Sequence, residues 1–141
     1  EILRGLKDGT IDAIATDHAP HNIEEKKVEF NLASSGIVGL ETALALVITR
    51  LIEPKILTPK QAVEKMTAAP ARILKLNKGA LKAGAAADLI IVDPKAEWMV
   101  DASKFASKSR NTPFNGWQLK GKVLYTIVSG RIVVKDGKLV S

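Results

Sequence analysis

Apolar positions along the chain follow a helical period up to about residue 76 and a strand-like period from Gly79 onward. Ile2, Leu3 and Leu6 fall on one helical face just ahead of Gly9, a helix stop. Residues 10–15 mix β-branched Thr and Ile with small residues, the pattern of a parallel strand buried on both faces. Leu40, Leu44, Val47, Ile48 and Leu51 form a single helical stripe that Pro54 limits. Thr58-Pro59-Lys60-Gln61 predicts a capped helix start, with Thr58 and Gln61 closing a capping box and Pro59 preset for the first helical position. Ala62, Val63 and Met66 give that helix its buried face. Pro70 opens a further short segment, Ala71-Arg72-Ile73-Leu74, which ends among Asn77-Lys78-Gly79.

The remainder reads as a small β unit. Residues 87–93 hold the apolar run Leu89-Ile90-Ile91-Val92, closed by Asp93-Pro94, and a second strand is predicted over 97–100. Residues 122–128 and 131–135 flank Ser129-Gly130 as a hairpin, and Asp136-Gly137 marks another tight turn before Lys138-Leu139-Val140. The change of period places a boundary near Leu76, dividing the chain into 1–76 and 77–141.

Two features predict that the chain is part of something longer. It opens on Glu1 inside a helical pattern, and the strand over 10–15 is followed by helical sequence that offers it no partner. Its neighbours are expected in a missing N-terminal part. An exposed strand edge also predicts association with other copies, or a loosely ordered start. The polar residues 22–35, with Glu24-Glu25-Lys26-Lys27, read as a solvated connection; their length, against about 2–6 residues for a βα loop, leaves a lid or binding loop as the alternative.

Composition narrows the class. With 46% hydrophobic and 26% charged residues in 141, the chain is globular rather than disordered. No apolar run approaches the length of about 20 residues that spans a bilayer, and no signal pattern begins the chain, so a cytoplasmic protein without a membrane role is expected. The absence of cysteine leaves His, Asp and Glu as the available metal ligands. The net charge of +6 is dispersed and aromatics are 4%, which argues against nucleic acid as a partner.

Chemistry concentrates in Thr16-Asp17-His18-Ala19-Pro20-His21, which holds every histidine of the chain. An apolar strand emptying into such a loop is where α/β sheets place catalytic groups. Asp17 reads as a metal ligand, a general base, or a turn residue whose carboxylate caps backbone donors. With His21 four residues on, it could form an acid/base or anion-binding pair facing one pocket. Two histidines without a third ligand make a poor zinc site, so a metal centre must draw ligands from elsewhere. Ser35-Gly36-Ile37-Val38-Gly39-Leu40-Glu41 reads as a helix opening. Its glycines admit a ligand or another backbone, its first-turn N–H groups suit an anion, and Glu41 suits the dipole.

Residues 11–21, followed by Ile37-Val38-Gly39-Leu40-Glu41-Thr42, resemble the C-terminal part of class I dihydroorotases of the amidohydrolase superfamily. Pro70-Ala71-Arg72-Ile73-Leu74, Ala87-Asp88-Leu89 with its strand, and Asn111-Thr112-Pro113-Phe114-Asn115-Gly116-Trp117 agree, so the likeness covers essentially the whole chain. Ser34-Ser35 departs from the bulkier pair, such as Pro-Phe, of many relatives, a change in the pocket wall. The resemblance implies an α/β fold: the last strand, 11–16, and helices of a (β/α)8 TIM barrel, followed by half of a composite β-sandwich. It implies zinc as cofactor, with Asp17 as metal ligand and catalytic base, His21 holding the substrate carboxylate, and the backbone of Ser35 and Gly36 contacting the ring. His18 matches no metal-ligating position and is expected to be structural. The implied reaction is reversible hydrolysis of dihydroorotate to N-carbamoyl-aspartate in pyrimidine synthesis, with the chain alone inactive. Allantoinase or dihydropyrimidinase chemistry is the alternative within enzymes. The alternative outside them is a non-catalytic subunit supporting aspartate transcarbamoylase. A homo-oligomer is also compatible with the sequence.

Overall fold

The computed structural model describes residues 1–140. Its helical half begins with α1 (Ile2–Asp8), which Gly9 ends at φ 90°. A turn of helix, α2 (Ile23–Lys26), lies in the polar connection, so that stretch is not structureless. Asn22 caps it by accepting from Glu24 N–H at 3.2 Å.

Residues 10–15 do not form the expected strand. They carry no ladder, because a parallel strand needs neighbouring edges and the described residues bring only one parallel bridge, His18 to Ile37, just beyond them. The segment is held across α1 and α4 instead. Ile11 N–H donates to Gly5 O at 2.9 Å and Ile14 N–H to Lys65 O at 3.0 Å. The Lys65 ammonium donates to Ile11 O. Ile11 and Ile14 pack on a cluster of Leu6, Val47, Leu57 and Ala62.

The helix predicted through Leu51 starts later and ends differently. Regular α3 covers Ala43–Val47 and passes into a π-helical turn, Ile48–Ile52, in which Glu53 N–H reaches Ile48 O at 2.9 Å. The wide turn lies where the helix meets the β unit, a common place for such an irregularity. Lys120 N–H donates to Thr49 Oγ1 at 2.8 Å. Gly121, at φ 96°, lies over Ile48 so closely that a Cβ would stand 2.3 Å from its Cδ1. The Glu53 carboxylate, 2.6 Å from Lys120 Nζ, holds the Lys120 ammonium above its usual pKa.

The capping box of α4 (Pro59–Met66) forms as predicted, with Gln61 N–H donating to Thr58 Oγ1 at 3.3 Å and Thr58 N–H to Gln61 Oε1 at 2.9 Å. Such a cap contributes about 1 kcal/mol. The following helix, α5 (Ala68–Ile73), starts before Pro70, which its first turn tolerates.

The β unit is an antiparallel meander in the order β1 (Leu89–Met99), β2 (Gln118–Val128), β3 (Arg131–Lys135), β4 (Lys138–Leu139). The two strands expected over 87–93 and 97–100 are one irregular strand. Asp93 Oδ1 accepts from Lys95 N–H at 2.9 Å and Ala96 N–H at 3.2 Å, and the register against β2 slips between Asp93 and Glu97. One core joins the two halves: Val38 and Ala45 pack with Val100, Ala102, Phe105 and the fully buried Leu119.

The accessible surface is 10146 Å², against about 7,100 Å² for a compact monomer of this mass. Large apolar side chains contribute to it, with Phe30 99%, Leu81 82% and Leu139 86% exposed. Among the described residues no helix is long and apolar enough to cross a membrane.

Candidate active site

Two short stretches, 16–21 and 34–40, lie side by side, and their contacts follow from small residues at two positions. A Cβ on Gly39 would stand 2.9 Å from Thr16 Cβ and 3.0 Å from Thr16 O, so only glycine lets the backbones approach. At Gly36, φ is 103° and a Cβ would meet Ala19 Cβ at 2.6 Å. Ala19 N–H donates to Ile37 O at 2.9 Å, closing the parallel bridge. Of the two readings of these glycines, the structure takes approach of another backbone.

The expected anion site at a helix start does not form, since the helix begins at Ala43. Gly39 N–H is directed onto His18 Nδ1 at 3.0 Å, with Leu40 N–H at 3.4 Å from the same atom. His18 therefore accepts at Nδ1 and carries its proton at Nε2, a structural part consistent with its expected role. Glu41 lies outside the helix and accepts from Ala106 N–H at 2.9 Å and Ser107 N–H at 3.1 Å.

The structure brings His21, Ser35 and Gly36 together. His21 Nε2 donates to Ser35 O at 2.9 Å, and Nδ1 faces Glu25 Oε2 at 3.2 Å. Both ring nitrogens thus face acceptors. The carboxylate beside His21 is Glu25 rather than Asp17, so the expected Asp17–His21 pair does not form. Asp17 stands apart at φ 44°, exposed, and its carboxylate makes no hydrogen bond among the described residues. The left-handed backbone favours Asp over most residues.

Three participants escaped the sequence reading. Lys26 Nζ donates to Ser34 O at 2.5 Å and Gly36 O at 3.1 Å. Asn111 Nδ2 donates to Ala19 O at 3.2 Å and Gly36 O at 3.1 Å, while Val38 N–H donates to Asn111 O at 3.0 Å. Glu25 completes the set through His21 and, at 3.4 Å, Ser34 Oγ. Motif position was the sole signal for Asn111, and nothing local marked Lys26 within its charge run. Beside them opens a cleft of about 580 Å³ edged by His21, Lys26, Lys108 and Arg110, with no carboxylate in its lining.

Among the described residues no three His, Asp or Glu side chains converge as metal ligands. The exposed, unpartnered carboxylate of Asp17 suits one ligand of a centre completed by other protein.

Comparison with known proteins adds the family. A profile described as "Amidohydrolase family" matches residues 1–133. The dihydroorotase of Acetivibrio thermocellus is 56% identical over 135 residues, 96% of this chain and 32% of that protein. The dihydroorotase of Geotalea daltonii is 59% identical over 134 residues, 95% of this chain and 31% of that protein. Among solved structures, an L-hydantoinase (dihydropyrimidinase) from Arthrobacter aurescens superposes with TM-score 0.93 at 32% identity, covering 99% of this chain and 32% of its own. A D-hydantoinase (dihydropyrimidinase) from Thermus sp. gives 0.90 at 26%, covering 99% and 31%. The chain spans about a third of the length of the relatives it matches.

Proposed function

Because the chain belongs to the amidohydrolase family, we propose that it acts as part of a dihydroorotase, a cytoplasmic enzyme that interconverts dihydroorotate and N-carbamoyl-aspartate. The observation that carries this reading is identity above 50% to dihydroorotases along almost the whole chain, well beyond its 32% to a hydantoinase. Residues 1–76 belong to the barrel and 77–141 to the sandwich beside it. The surplus apolar surface supports a chain that packs against further protein of the same barrel.

Asp17 is the residue of this chain that would hold zinc, with the remaining ligands coming from the rest of the barrel. Zinc supplies Lewis-acid polarisation of the scissile carbonyl and a lowered pKa for water. Asp17 also moves the proton: its carboxylate takes one from the attacking water and delivers it to the ring nitrogen as the C–N bond breaks, a contribution of about 10²–10⁴-fold. His21 holds the substrate carboxylate, while the backbone of Ser35 and Gly36 contacts the ring. Binding at His21 exchanges Glu25 at Nδ1 for the ligand, while Nε2 keeps its bond to Ser35 O.

The test is a substrate panel on the full-length protein, with metal analysis, beside the 141-residue chain alone. Turnover of dihydroorotate by the former and none by the latter is expected. Preference for a hydantoin, a dihydropyrimidine or allantoin overturns the substrate, and turnover by the chain alone overturns the need for ligands from elsewhere.

A further inference from the structure

Resting on that reading of Ser35-Gly36 as substrate-contacting backbone, we propose that Asn111 and Lys26 are positioning residues that present the Gly36 N–H to the substrate. Through Asn111, the β unit sets how tightly the substrate is held. Carbonyls in this stretch are all turned into the protein. Ser34 O accepts from Lys26 Nζ, Ser35 O from His21 Nε2, and Gly36 O from both Asn111 Nδ2 and Lys26 Nζ, each at 3.1 Å. A trans peptide is planar, with its N–H opposite its C=O. Turning Ser35 C=O onto His21 therefore turns Gly36 N–H to the opposite side, where it meets no acceptor among the described residues. The two donors on Gly36 O fix the next peptide as well. The donor is held in place by the clamping of the carbonyls around it.

Asn111 suits this task for a reason of chemistry. Its amide offers two hydrogens on one nitrogen, and both are used, one on Ala19 O at 3.2 Å and one on Gly36 O. The two carbonyls belong to the two stretches that form the site. Its Oδ1 accepts from the hydroxyl of the buried Ser109, which fixes which end of the amide carries the hydrogens. A carboxylate would repel both carbonyls, and a hydroxyl could reach one. Asn111 lies in the connection between β1 and β2, so the clamp is anchored in the β unit across the shared core.

The full-length enzyme with Asn111→Ala and, separately, Lys26→Met tests the proposal. Asn111→Ala is expected to raise KM for dihydroorotate about tenfold and to change kcat by less than about threefold, as loss of ground-state positioning requires. Zinc content stays at the parent's value. Lys26→Met moves KM in the same direction by less, since the Asn111 bond to Gly36 remains. Hydrogen exchange at the Ala19 amide, whose acceptor Ile37 O follows Gly36, quickens in Asn111→Ala. A folded Asn111→Ala protein with parent KM and parent exchange overturns the proposal, as does a kcat loss with KM unchanged. If Asn111→Ala does not fold, the KM of Lys26→Met decides. A parent that does not hydrolyse dihydroorotate defeats the proposed function instead. KM is then read on the cyclic amide it does hydrolyse, and exchange decides if there is none.

Discussion

The β meander and the stretch from residue 10 to residue 42 are supported in different ways. In the meander each strand meets the next through a ladder interrupted at a few bulges, so Tyr125 faces Ile91 on one side and Lys135 on the other. Removing one side chain leaves most of those bonds in place. In the site stretch, backbone groups are met one at a time by partners far off in sequence: Lys65 for Ile11 and Ile14, His18 for Gly39, Lys26 and Asn111 for Gly36. Regular pairing makes a region sturdy by itself, whereas borrowed bonds leave its geometry to residues elsewhere. Changes in the β unit should therefore reach the site, while changes of reacting groups should leave the fold alone.

Asp17→Asn in the full-length protein breaks the comparison on the chemical side and carries the largest expected effect. Asn tolerates the left-handed backbone at φ 44°, and the Asp17 carboxylate supports no protein hydrogen bond among the described residues, so the thermal midpoint of the metal-stripped protein should stay at the parent's value. The rate should fall by about 10²–10⁴-fold. Parent-like turnover removes Asp17 from the mechanism, and a large fall in the midpoint makes it structural.

Leu119→Ala probes the other side. Leu119 is 0% exposed in β2, within the cluster that includes Val38 and Ala45 of the helical half. Truncation should cost roughly 2–5 kcal/mol in urea unfolding of the full-length protein. Exchange should quicken at the Val38 amide as well as within β1 and β2, because the core is shared. Quickening confined to the sheet shows that the site stretch does not depend on this core.

The sequence made legible whatever is determined locally. The hairpin at Ser129-Gly130, the strand over 131–135 and the Thr58–Gln61 capping box follow from turn chemistry and capping within a few residues. Residues 10–15 form no ladder here because their apolar pattern describes a partner that this chain does not bring. The irregularity in β1 escaped because it depends on one carboxylate, Asp93, folding back on two amides. At the site, His21 meets Ser35 and Gly36, three residues that the resemblance implied to contact substrate. Asn111 and Lys26 were hidden because their partners are carbonyls, and carbonyls carry no sequence signature. The Asp17–His21 pairing failed because Glu25, one turn beyond His21 on α2, is better placed for the ring.

Asp88 sharpens the comparison with the smallest expected effect, since its carboxylate lends side-chain bonds inside a region held mainly by its own ladder. Its carboxylate pairs with the Lys78 ammonium and accepts from Ser129 N–H at 2.7 Å, at the turn between β2 and β3, while Gly130 N–H donates to Ala87 O at 3.0 Å. Lys78 first, and the Ser129 amide second, hold the Asp88 carboxyl below its ordinary value of 3.8. A carboxyl depressed in the folded state contributes stability that is present above its unfolded pKa and is lost as pH falls through the lower folded value. The thermal midpoint of the parent should therefore exceed that of Asp88→Asn slightly at neutral pH. The gap should stay level down to about pH 4 and close below it. A gap that persists unchanged into strong acid shows that the contribution comes from the shape of the turn rather than the charge. In that case the hairpin, like the rest of the meander, is held by its own ladder.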